Sequence, residues 1–89
     1  MRPASPETVI RNVGRRVAEL RAALGLTQDE FSAQVGIGLK YLQRVEAGHE
    51  NLTIESLVKL ANHLNIRVTA LFEPAQTQAG RRGRPPRRP

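Results

Sequence analysis

Lys40 and Arg44 stand four residues apart in the segment 39–47. If that segment is helical, the two cations share a face. A guanidinium presents paired donors that match the O6 and N7 acceptors of guanine, a contact worth about 1–3 kcal/mol of discrimination between bases. Lysine reaches the same atoms as a point charge. Leu39 can pack on a thymine methyl, and Tyr41 and Gln43 also fall on the outward side. The plainer reading of Lys40 and Arg44 is a solvated basic face.

A second basic cluster lies near the end of the sequence. Arg81, Arg82, Arg84, Arg87 and Arg88 fall within residues 74–89, which contain no acid and no Leu, Ile, Val or Phe. The string Arg82-Gly83-Arg84-Pro85 resembles the core of an AT-hook. Such an element lays two arginines along a narrow A·T-rich minor groove, whose enhanced negative potential attracts them. The plainer reading is a polybasic tail that screens phosphates without preference. Either way it adds affinity and steepens the salt dependence by about 0.9 per phosphate neutralised.

Other chemistry lacks the residues it needs. There is no Cys, so there is no disulfide framework, thiolate metal site or thiol nucleophile. His49 and His63 are the only histidines, with no matching carboxylate cluster, and no metal or cofactor is expected. No Gly-rich phosphate loop, paired-acid arrangement or Ser/His/Asp arrangement is present. Glu7 and Glu19 read as helix-surface acids. An enzyme is not expected.

Helices must position these side chains. Ser5-Pro6-Glu7 starts the first one, with a Ser N-cap, Pro at the first helical position and an acid in the first turn. Val9, Ile10, Val13, Val17, Leu20 and Leu24 follow at helical spacing, and Gly25 closes the helix in a left-handed conformation. Gly14 within it costs about 1 kcal/mol relative to Ala. Thr27 and Glu30 form a capping box for the second helix, with Phe31 and Val35 buried and Gly36 at its end. The third helix, 39–47, buries Leu42 and Val45 and stops at Gly48. The fourth starts at Thr53, buries Leu57, Leu60, Ala61 and Leu64, and ends at a left-handed Asn65. A short fifth helix covers 68–72. No run alternates as a strand would.

Charge separates the chain into parts. The 89 residues carry a formal net charge of +6. Residues 1–73 hold nine basic and eight acidic side chains, while residues 74–89 hold five Arg and no acid. The expected organisation is a loose arm at 1–5, a folded domain at 6–73 and a disordered Arg/Pro/Gly-rich tail at 74–89. No apolar run approaches the roughly 20 residues of a membrane helix. The expected setting is cytoplasmic and nucleoid-associated, without membrane partners.

Two short helices joined by the three-residue turn Gly36-Ile37-Gly38 are the signature of a helix-turn-helix. Ser32 is small where the helices approach closely, Gly36 sits where the turn needs positive φ, and Ile37, Leu42 and Val45 fill the angle between them. The sequence here resembles the phage-repressor-like (Cro-type, or xenobiotic-response-element type) helix-turn-helix regulators. The matching residues are Leu26-Thr27-Gln28-Asp29-Glu30-Phe31, Gly36-Ile37, Arg44-Val45-Glu46-Ala47-Gly48, and Leu57, Leu60, Ala61 and Leu64. The resemblance spans about residues 10–72. Within that family, Asn51-Leu52-Thr53-Ile54-Glu55-Ser56-Leu57 resembles the restriction–modification controller proteins.

The resemblance implies an all-α, five-helix bundle of the lambda-repressor-like type that binds double-stranded DNA. It implies that helix 39–47 enters the major groove with Leu39, Lys40 and Arg44 reading bases. Tyr41 joins that set as an outward neighbour. Gln28 is implied to bond a phosphate, where a helix N-terminus also favours anions. Gln43, Asn51 and Thr53 are further phosphate candidates, Thr53 doubling as an N-cap. His49 and Glu50 stand where many relatives carry Lys or Arg, so the grip on the backbone is expected to be weaker. Arg21 and Glu46 occupy positions that form a structural ion pair in the family.

One recognition helix reads few base pairs, so a homodimer on an inverted-repeat operator is expected. Val68, Leu71 and Phe72 are assigned to an isologous interface. RNA polymerase or another protein is a further candidate partner. Two other functions stay open: an antitoxin-type partner-binding protein, and a non-specific nucleoid or RNA binder driven by the tail.

Overall fold

The computed structural model describes residues 4–76. The assignments to Arg81, Arg82, Gly83, Arg84, Pro85, Arg87 and Arg88, including the AT-hook and the disorder of the tail, lie outside the described residues.

Four α-helices form the fold, and no strand occurs among the described residues: α1 (Pro6–Ala23), α2 (Gln28–Val35), α3 (Leu39–Glu46) and α4 (Ile54–Leu64). Each start has a local cause. The Ser5 hydroxyl accepts from the Thr8 amide, Thr27 and Glu30 close a reciprocal capping box, and Thr53 accepts from the Ser56 amide. Each of these caps satisfies an amide that the helix itself leaves without a partner.

The C-termini are equally local. Gly25, Gly36 and Gly48 have φ of 75°, 85° and 81°, and Asn65 has φ of 61°. Leu24 caps α1 and is exposed, so it leaves the apolar stripe in which the spacing puts it.

The sequence predicts a fifth α-helix over 68–72, but Val68–Phe72 forms a 3₁₀ segment. Its bonds run three residues back, from the Ala70 amide to the Arg67 carbonyl at 2.9 Å and from Glu73 to Ala70 at 3.3 Å. Pro74 explains the stop. It forces the residue before it into extended backbone, and Glu73 sits at ψ of 152°.

The core gathers Val13 and Val17 of α1, Phe31 and Val35 of α2, Leu42 and Val45 of α3, and Leu57, Leu60, Ala61 and Leu64 of α4. Leu71 of the 3₁₀ segment completes it, fully buried. That corrects the interface assignment: Leu71 faces inward, Val68 is half-buried against the core, and of the three only Phe72 is exposed.

A buried polar link seats the 3₁₀ segment on α1. Arg16 donates from Nε to the Ala70 carbonyl at 2.9 Å, from Nη1 to Glu19 at 3.0 Å and from Nη2 to Glu73 at 3.1 Å. Glu19 is therefore a buried acid, contrary to the surface position expected of it. Arg16 draws it inward, because a buried guanidinium needs a nearby negative partner.

Candidate nucleic-acid interface

α2 and α3 are joined by Gly36-Ile37-Gly38, and the joint is rigid for three reasons. Gly36 takes the left-handed turn and Ile37 packs on the core. Ser32 is buried between the helices, and its hydroxyl donates to the Asp29 carbonyl at 3.0 Å. Phe31 and Leu42 fill the angle without exposure.

The inner side of α3 is locked by one acid. Glu46, its side chain 6% exposed, accepts from Arg21 Nε at 2.7 Å, from Arg21 Nη2 at 3.0 Å and from Gln28 at 2.8 Å. Arg21 also donates from Nη1 to the Leu26 carbonyl at 2.7 Å. The expected Arg21–Glu46 pair is thus bidentate and ties the end of α1 to the end of α3. Bidentate arginine–carboxylate pairs are among the strongest and most directional polar contacts. Gln28 belongs to the same knot. Its half-buried amide is turned to Glu46, so the residue expected to bond a phosphate also anchors α3.

The outer side of α3 exposes Leu39, Lys40, Gln43 and Arg44. Tyr41 differs from the expected outward placement: it is half-buried and packed on the core. Asn51 is exposed. The Thr53 hydroxyl is engaged with Ser56, accepting from its amide and donating to its hydroxyl at 3.1 Å.

Arg44 carries a partner that the sequence did not reveal. Its Nε donates to Glu50 at 2.7 Å and its Nη2 to the His49 carbonyl at 3.1 Å, yet its side chain remains 55% exposed. Lys40 has no carboxylate partner among the described residues. The signal for the Arg44 contact was present in Gly48-His49-Glu50: a left-handed glycine after a helix reverses the chain toward the last turn.

Comparison with known proteins adds a relationship to this geometry. A model of the Helix-turn-helix family HTH_3 matches residues 17–71. An uncharacterized HTH-type transcriptional regulator, y4dJ, of Sinorhizobium fredii is 39% identical over 62 residues, which cover 70% of this chain and 80% of that protein. The cryptic phage CTXphi transcriptional repressor RstR of Vibrio cholerae is 34% identical over 59 residues, covering 66% of this chain and 53% of the repressor. Among solved structures, the restriction–modification controller protein C.AhdI from Aeromonas hydrophila superposes with a TM-score of 0.68 at 35% identity, over 71% of this chain and 96% of that one. This agrees with the narrower likeness carried by Asn51–Leu57.

Proposed function

Because the chain belongs to the helix-turn-helix family of DNA-binding transcriptional regulators, we propose that α3 enters the major groove of double-stranded DNA and reads bases through Leu39, Lys40 and Arg44. The observation that carries this reading is the division of α3. Leu42, Val45 and Glu46 hold it to the body, while Leu39, Lys40, Gln43 and Arg44 are left outward.

Gln43 and Asn51 are the phosphate contacts that this arrangement favours, because both are exposed. Gln28 serves in that role with the amide hydrogen that its bond to Glu46 leaves, whereas the Thr53 hydroxyl must first release Ser56 to donate to a phosphate. Tyr41 contributes by packing beside the reading residues. The protein acts by binding, without a catalytic step.

A two-fold dimer on an inverted repeat would place two such helices about 34 Å apart on successive turns of the groove. Phe72, 54% exposed, lies with Val9, Ile10 and Leu57 around an open cleft of about 200 Å³, and Ile54 and Val58 of α4 are also exposed. We assign the dimer contact to Phe72 and this apolar surface. The domain spans 6–73, and the arginines of 74–89 supply phosphate or minor-groove contacts in the nucleoid.

Selection of bound duplexes from a random pool tests the reading, with the full chain and with residues 1–74. The expected outcome is a guanine-bearing inverted repeat for both, and an A·T-rich flank with the full chain alone. No enriched sequence from either the full or the shortened chain would overturn it.

A further inference from the structure

We propose that Glu50 is a positioning residue for base reading: with the His49 carbonyl it holds the Arg44 guanidinium by one side and leaves the outer edge free for guanine. The inference rests on the reading that Arg44 meets a base.

The end of α3 creates the arrangement. The Gly48 amide donates to the Val45 carbonyl at 3.0 Å and the His49 amide to the Arg44 carbonyl at 2.8 Å, a pair of bonds that turns the chain back along the helix. The turn carries the His49 carbonyl and the Glu50 carboxylate alongside the side chain of Arg44.

The end of α1 is built in the same way and shows what differs. The Gly25 amide donates to Ala22 at 2.9 Å and the Leu26 amide to Arg21 at 3.4 Å. Arg21, like Arg44, lies three residues before the helix cap, donates to the carbonyl two residues past that cap, and pairs with a glutamate. In Arg21 all three guanidinium nitrogens are engaged, and the side chain is 15% exposed. In Arg44 only Nε and Nη2 are engaged among the described residues. The first arginine is enclosed by its bonds, and the second is held on one side and open on the other.

A guanidinium has five N–H groups. The bonds to Glu50 and His49 use one at Nε and one at Nη2, leaving both at Nη1 and one at Nη2. One hydrogen from each terminal nitrogen forms the end-on fork that suits O6 and N7 of guanine. Ordering the side chain before contact reduces the freedom lost on docking. The carboxylate has an opposite effect as well. It cancels the charge of Arg44 toward phosphates, so it weakens attraction to any DNA while sharpening the choice of base. These opposed signs separate positioning from a merely structural role.

The test uses the full chain as wild type, Glu50→Ala, Glu50→Gln and Arg44→Ala. A random-pool duplex enriched by the wild type is titrated beside the same duplex with guanine replaced by adenine and beside a scrambled duplex. Thermal melting checks the fold of each variant. For Glu50→Ala the preference for guanine should fall about tenfold, as expected for partial loss of a bidentate contact, while affinity for the scrambled duplex rises. Glu50→Gln keeps an acceptor for Nε and should fall between. If Arg44→Ala abolishes the preference but both Glu50 variants keep it, positioning is wrong and base reading stands. If Glu50→Ala strengthens binding to the guanine duplex most, Glu50 sequesters Arg44 and the proposal is overturned. If Arg44→Ala leaves the preference intact, or the pool yields no enriched duplex, base reading fails and the proposal falls with it.

Discussion

Gly14 of α1 lies against the main-chain carbonyl of Val45 near the end of α3, so close that a Cβ there would overlap the carbonyl oxygen. A glycine that weakens a helix by about 1 kcal/mol thereby permits the close approach of α1 to α3. The same carbonyl accepts from the Gly48 amide. Gly14→Ala should therefore destabilise the protein by about 1–3 kcal/mol through overpacking, despite its gain in helix propensity. Urea denaturation measures this, and an unchanged or higher midpoint would show that the two helices can separate freely.

Glu46→Ala removes three bonds at once and leaves Arg21, 15% exposed, without its carboxylate. Breaking one side of a buried pair costs about 3–5 kcal/mol, and this largely buried pair should approach the lower end. The double variant Arg21→Met/Glu46→Leu should lose less than Glu46→Ala alone. Chemical denaturation of both chains decides it; equal losses would mean that the pair does not act as a unit.

Arg16 and Glu73 are bonded to each other, but the two ends of the bond lie in different surroundings. Arg16 is buried and also holds Ala70 and Glu19, whereas the Glu73 side chain is 59% exposed. Glu73→Ala should change stability by no more than about 1 kcal/mol. Arg16→Ala should lose several times that and loosen the 3₁₀ segment from α1. Amide exchange at Leu71 and Phe72 reports the loosening directly, and slow exchange retained in Arg16→Ala would count against the link.

Leu71 and Phe72 are neighbours with opposite exposures. Leu71→Ala should lower the stability of the fold by about 2–5 kcal/mol, as a cavity in the core does. Phe72→Ala should leave the denaturation midpoint of the dilute, dissociated protein nearly unchanged and weaken self-association. Sedimentation equilibrium at tens of micromolar reads the second effect. Identical association of Phe72→Ala and wild type would remove Phe72 from the interface.

What the sequence could reveal depended on the range of the interaction. Ser5, Thr27 and Thr53 were legible as caps, and Gly25, Gly36, Gly48 and Asn65 as helix ends, because a cap is decided within a few residues. The apolar spacing also found the core positions of all four helices. Glu19 was misplaced because helical spacing assigns charged residues to the surface, while its partner Arg16 is held inside by the Ala70 carbonyl, 54 residues further along the chain. Leu71 read as surplus apolar surface because nothing local shows that α1 and α4 leave a gap for it. Gly14 looked like a local weakness until α3 was seen against it. At the candidate site, the exposed cations of α3 were legible from spacing alone. The Glu50 contact was missed although Gly48 marks the reversal toward Arg44, because the charge at position 50 was weighed only as a weaker grip on phosphate.

The polar ties of α3 to the body converge on Glu46, and none of the hydrogen bonds found among the described residues involves the side chains of Leu39, Lys40 or Gln43. Those three positions can be rewritten one at a time without disturbing the frame that carries them. Position 44 differs, because its side chain is tied to position 50. Across descendants of such a chain, letters at 39, 40 and 43 are free to drift singly, whereas a change at 44 takes from Glu50 the cation it is bonded to. Positions 44 and 50 should therefore be inherited and replaced as a couple.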